Sequence, residues 1–220
     1  MSDKKYIIAN WKCTKNIDAC IEWLDVVGPQ LAEFEDYEII VCPPFVALDA
    51  VTKHIMHAHY PIQVGAQTVS LYELGAYTGE VAAFMLEGIA AYALVGHSER
   101  RSLKNETNED IAKQVEQCVR CKIKPIVLVR DEHDVIPKEV KVFAWEPVSA
   151  IGTGNAIDAA TAGERIGILP SIGDMQGLYG GSVNSSNIAS FMNHPTIAGV
   201  LIGSASNDPS SFMEMLHALR

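Results

Sequence analysis

One carboxylate, Glu146, closes the apolar run Ala144-Trp145 and is followed by Pro147 and then by Gly152-Thr153-Gly154. A carboxylate where a strand gives way to a glycine-punctuated loop is a candidate general base with a lid of its own. The plainer alternative is a solvated charge at a strand end. Three other segments place chemistry-bearing groups in the same way. Asn10-Trp11-Lys12 follows Tyr6-Ile7-Ile8-Ala9 and delivers an amide and an ammonium, and Gly96-His97-Ser98-Glu99-Arg100-Arg101 follows Tyr92-Ala93-Leu94-Val95 and delivers an imidazole. Tyr179-Gly180-Gly181-Ser182-Val183, echoed by Leu201-Ile202-Gly203-Ser204-Ala205, supplies glycine-rich turns whose backbone can approach an anion with no Cβ in the way. Together these are the parts of an acid–base site with an anion cradle beside it.

Groups so scattered along the chain meet only if the elements before them end at one place. Short β-branched runs alternate with helical patterns, the mark of βαβ units and a parallel sheet. Strands are expected at residues 5–10, 37–42, 61–66, 91–96, 124–130, 140–146, 174–180 and 197–202, which is the number a closed parallel α/β barrel requires. In such a barrel functional groups gather at the C-terminal strand ends. Asp18 to Ala32, with Ile21, Leu24, Val27 and Leu31, and Asn108 to Arg120, with Ile111, Val115 and Cys118, carry helical spacing and read as covering helices. Between strands five and six only Asp131 to Glu139 remains, polar and with Pro137 inside it. No regular helix fits there, although nine extended residues span up to roughly 30 Å and can still make the crossover. The missing helix accounts for much of the shortness of the chain against a fold of about 250 residues, and it leaves part of the outer wall uncovered.

At 220 residues and 48% hydrophobic content the chain can bury a full core and reads as one domain, residues 1–220, with no need of a disulfide or metal. A formal charge of −10 argues against nucleic acid or an anionic membrane as partner, but not against a small anion held by a few local donors. No apolar segment approaches spanning length, and the start Met1-Ser2-Asp3-Lys4-Lys5 predicts no secretory leader. Five cysteines, Cys13, Cys20, Cys42, Cys118 and Cys121, read as free thiols in a reducing cytoplasm. The Cys118/Cys121 pair leaves a redox or metal role as the alternative.

Taken in order, with Gly65-Ala66-Gln67 and Gly75-Ala76-Tyr77-Thr78-Gly79-Glu80 between them, these motifs resemble the triosephosphate isomerase family over nearly the whole chain. The resemblance implies a shortened (β/α)8 TIM barrel that acts without cofactor or metal. Its substrate would be a phosphorylated triose, isomerised through an enediolate in glycolysis and gluconeogenesis. It implies Glu146 as the base, His97 as a neutral electrophile kept so by the amides of the following helical turn, and Lys12 as the substrate-facing cation. Asn10 would orient the carbonyl oxygen and Glu99 would structure the site around Lys12. Gly152 from the lid, Ser182, and Gly203 with Ser204 would hold the phosphate. The loop of residues 65–80 would reach into a neighbouring subunit, where Thr78 completes the site, making a homodimer; the uncovered wall near residues 131–139 could add a tetramer.

Two positions depart from the family pattern: Ser149 stands where a Trp usually anchors the lid of residues 147–154, and Ser204 where a second Gly is usual. The first puts lid closure in doubt; the second either crowds the phosphate or adds a hydroxyl donor to it. Two rival readings are a barrel that has kept its ligand site without catalysis, and a phosphate-barrel isomerase of larger sugar or indole substrates. The first would require loss of Glu146, His97 or Lys12; the second matches only in the phosphate turns.

Overall fold

The computed structural model describes residues 4–147, 156–169 and 175–220. Strands β1 (Lys5–Asn10), β2 (Tyr37–Cys42), β3 (Gln63–Ala66), β4 (Tyr92–Val95), β5 (Lys124–Val129), β6 (Val142–Trp145), β7 (Gln176–Tyr179) and β8 (Gly199–Ile202) pair in parallel in chain order. Pairing of β8 with β1 closes the barrel. The first two strands match their expected limits, and the others are trimmed at their ends. At β3 the trimming has a simple cause, since Pro61 has no N–H to give to a ladder.

Around the barrel lie α1 (Ile17–Val27), α2 (Leu48–Ala58), α3 (Ser98–Lys104), α4 (Asn108–Arg120), α5 (Ala159–Ile168), α6 (Ile188–Met192) and α7 (Pro209–His217). Most of their starts follow side-chain chemistry. Asn16, Asp158 and Asp208 each accept a first-turn N–H, and Thr107 with Asp110 forms a reciprocal capping box at α4.

The two-residue period of the strands divides the core into two layers. Ile8, Ile40, Leu94, Ile126, Leu128, Ala144, Leu178 and Leu201 fill the barrel interior, while Ile7, Ala9, Val41, Val127, Phe143 and Val200 face the helices. That parity also aims the strand ends. Asn10 continues the inward series of Ile8, and Glu146 that of Val142 and Ala144, so both turn into the barrel mouth.

Residues 130–141 contain no helix, as expected, only turns at Asp131 to Asp134 and at Lys138 and Glu139. Among the described residues this leaves a groove of about 630 Å³ between Arg130–Glu132 and α5, with Trp145 and Ile168 in its lining. No helix of the described residues is long and apolar enough to cross a membrane.

Candidate active site

The mouth of the barrel holds a cavity of about 310 Å³ lined by Lys12, His97, Glu146, the Gly180–Asn184 turn, and Leu201 with Gly203–Ala205. These groups come from five strand ends and lie far apart in sequence. Of the expected site residues, Lys12, His97, Glu146, Ser182, Gly203 and Ser204 line this space directly, and Asn10 and Glu99 stand behind Lys12. Thr78 is exposed on the β3–β4 loop and is not part of this lining. Gly152 and Ser149 lie outside the described residues.

Glu146 is 3% exposed and His97 4%. One carboxylate oxygen, Oε2, accepts the Ser98 N–H at 3.3 Å, and Oε1 lies 3.3 Å from His97 Nε2. Burial pushes the Glu146 carboxyl above its ordinary range; the His97 ring, the Ser98 N–H and the Lys12 ammonium pull the other way without cancelling it. A carboxylate made more basic in this way is better matched to abstracting a weakly acidic proton.

His97 enters the mouth by a different route. Continued alternation after Leu94 would put Gly96 inward and His97 outward. Gly96 instead adopts φ +77°, a left-handed conformation that a side chain rarely takes, and the break in parity turns His97 in. The ring then caps α3: Nδ1 accepts the Glu99 N–H at 3.1 Å. Only an unprotonated Nδ1 can accept, so the ring proton sits on Nε2. That buried N–H is not aligned for a hydrogen bond to Glu146 despite its nearness, and has no hydrogen-bond partner among the described residues. It is a free donor at the cavity wall.

Two other site residues sit in left-handed backbone without being glycine, Lys12 at φ 49° and Ser182 at φ 51°. Such conformations cost of order 1–3 kcal/mol each and persist where surrounding contacts enforce them. Here side-chain amides do so. Asn10 Oδ1 accepts the Lys12 N–H at 3.1 Å, and Gln67 Nε2 donates to the carbonyls of Lys12 at 2.7 Å and Cys42 at 2.9 Å. Asn187 Nδ2 donates to the Ser182 carbonyl at 3.2 Å. The Lys12 ammonium is ion-paired with Glu99. Gln67 and Asn187 were not singled out from sequence; for Gln67 the placement rule that found the others, a polar group just past a strand, would have sufficed.

The last turn is fixed from outside. Ser204–Ser206 forms a 3-10 turn after β8, Ser206 Oγ donates to the Gly203 carbonyl at 2.7 Å, and Trp23 Nε1 of α1 donates to the Ser206 carbonyl at 3.0 Å. Gly203 to Ala205, held in this way, form part of the cavity wall.

A closed eight-stranded parallel barrel with its polar groups gathered at the C-terminal mouth places the chain among the (β/α)8-barrel enzymes. Sequence comparison narrows that class. A family model described as triosephosphate isomerase matches residues 5–219, and the chain belongs to that family. It is similar to the triosephosphate isomerase of Aquifex aeolicus, 32% identical over 98% of this chain and 99% of that protein. The corresponding protein of Clostridium beijerinckii is 34% identical over 97% and 99%, and that of Leifsonia xyli 37% identical over 84% and 83%.

Proposed function

We propose that the chain, acting as one domain over residues 1–220, interconverts dihydroxyacetone phosphate and glyceraldehyde 3-phosphate in glycolysis and gluconeogenesis. The observation that carries this reading is the buried pair at the cavity wall: a carboxylate with a raised pKa 3.3 Å from an imidazole whose Nε2–H is free to donate. In the chemistry known for this family, Glu146 takes a proton from C1 of the ketone and returns it to C2. The C–H electron pair passes into the enediolate. His97 donates from Nε2 to the developing oxyanion, and Lys12 balances the negative charge of enediolate and phosphate. Asn10 orients the carbonyl oxygen directly or through Lys12. The phosphate sits on the N–H groups of Ser182, Gly203 and Ser204, with Gly152 as the further donor that the family resemblance implies.

A cavity of about 310 Å³ lies at the small end of ligand sites and suits a triose better than a larger sugar or an indole. We also propose a homodimer. Tyr72, Leu74 and Tyr77 are 41%, 63% and 45% exposed on the β3–β4 loop, which is pinned by a Glu73–Arg120 ion pair and a Tyr72–Tyr77 stack at 4.1 Å. A stiff loop tip with exposed apolar side chains suits insertion into a neighbour, and Thr78 would travel with it. Five free thiols fit a reducing cytoplasm.

The direct test is incubation with each triose phosphate in turn, followed by proton NMR in the presence of a chelator. Both starting points should reach the same equilibrium mixture. Failure to consume either sugar refutes the reading.

A further inference from the structure

His97 and Glu146 stand just past the ends of β4 and β6, on either side of β5, and barrels of this class ordinarily carry a helix between strands five and six. Here the connection is a short, largely polar segment, and one of its charged residues is buried unlike the others. Glu132, His133, Val135, Lys138 and Glu139 are exposed, whereas Asp134 is 3% exposed. Its carboxylate accepts from Arg130 Nη2 at 2.8 Å, from Arg130 Nε at 2.9 Å and from the Arg130 backbone N–H at 2.8 Å, and it lies 3.3 Å from Arg101 Nη1.

Each of those arginines leads to one of the reacting groups. Arg101, itself buried, donates from Nε to the carbonyl of Gly96 at 2.9 Å, the residue whose left-handed turn aims His97. The Arg130 carbonyl accepts the indole N–H of Trp145 at 3.1 Å, and the Glu146 N–H donates to Val129 at 2.8 Å. Asn108 at the start of α4 closes the frame. Its Oδ1 accepts from Arg101 Nη1 at 3.1 Å and from the Val135 N–H at 3.2 Å, and its Nδ2 donates to the His133 carbonyl at 3.0 Å.

We propose that Asp134 is a positioning residue for the reaction, its buried carboxylate turning the helix-less β5–β6 connection into a strut that sets the His97 corner against the strand end bearing Glu146. The inference rests on the isomerase reading for its kinetic consequence, but the mechanical link it describes does not. Proton transfer is sensitive to placement of this kind, a displacement of about 1 Å costing on the order of a hundredfold in rate. The phosphate turns, built on β7 and β8, lie outside the frame.

The test compares the parent with Asp134→Asn and with Glu132→Gln, an exposed charge of the same segment. In Asp134→Asn, kcat should fall roughly tenfold or more, while KM and inhibition by inorganic phosphate stay at parental values; Glu132→Gln should match the parent throughout. In protein labelled with 15N-histidine, the His97 ring signals, identified by their loss in His97→Gln, should shift or broaden in Asp134→Asn. Should that variant fail to fold, Arg130→Gln cuts two of the bonds and keeps the backbone one, and should move the same readouts less far. Parental kcat with unmoved His97 signals overturns the proposal. So does a fall in phosphate affinity as large as the fall in kcat, which would mark general loosening. A parent inactive on both trioses would instead remove the functional reading, and the histidine signals would still decide whether the strut exists.

Discussion

Replacing Glu146 by Gln separates a catalytic carboxylate from a structural one, because the two roles predict opposite changes in stability. Removing a general base costs about 10² to 10⁴ in rate, or about 2.7 to 5.4 kcal/mol of transition-state stabilisation. The geometry also says what happens to the fold. Burial raises the Glu146 carboxyl above its ordinary range, so the folded protein holds that proton more tightly than the unfolded chain does. Below the unfolded value of about 4.3 the group is protonated in both states and costs nothing; above the folded value its buried charge counts fully against folding. Glutamine has no charge to bury, and its Oε1 can keep the Ser98 N–H that Glu146 Oε2 now accepts at 3.3 Å. Glu146→Gln should therefore unfold at a higher temperature than the parent at pH 7, with the two melting temperatures converging below about pH 4. Calorimetry at both pH values, beside turnover of each triose phosphate and binding of inorganic phosphate, checks this. Phosphate binding should survive. Turnover close to parental would refute the assignment of the base, and a variant that is both inactive and less stable at pH 7 would show that the carboxylate serves the fold.

The same buried base predicts that kcat/KM of the free enzyme falls on the acid side with a midpoint above the ordinary glutamate range, a limb absent from Glu146→Gln; a midpoint at or below that range would contradict it. Gly180→Ala would place a Cβ 3.0 Å from Glu146 Cγ and 3.7 Å from Oε1, so the base must shift by a few tenths of an ångström, and kcat should drop roughly tenfold with phosphate binding retained. Asp134 carries the opposite linkage to Glu146. Burial raises its carboxyl, but the Arg130 hydrogen bonds and the charges of Arg101 and Arg130 outweigh this and hold it below the ordinary aspartate range. Its contribution is thus full above about pH 3.9 and lost as pH falls through the folded value, so Asp134→Asn should cost about 3 to 5 kcal/mol at pH 7 and progressively less in acid, read by denaturant titration. Leu74→Glu, placing a charge on the exposed loop tip, should shift sedimentation toward monomer and lower activity at low protein concentration; an unchanged dimer would remove that loop from the interface.

Much of this molecule is legible in local pattern. Short β-branched runs locate all eight strands, and the two-residue period, carried one step past Ala144 and Ile8, aims Glu146 and Asn10 into the barrel. The polar, proline-bearing run from Asp131 to Glu139 excludes a helix by composition, and the motifs at the strand ends identify the family. These features depend on neighbours within a few residues, and the chain carries that information directly. Tertiary structure decided the rest. Lys12 adopts a left-handed backbone because Gln67, more than fifty residues away, holds its carbonyl. His97 faces inward because Gly96 breaks the parity that the strand would otherwise continue. Among several acidic residues on one loop, Asp134 alone is buried, selected by two arginines, Arg101 of α3 and Arg130 just past β5. Along the chain Asp131, Glu132 and Asp134 are equivalent polar loop residues. What separates them is desolvation, which a carboxylate tolerates only where cations and donors already converge, and that convergence exists only once the barrel has closed.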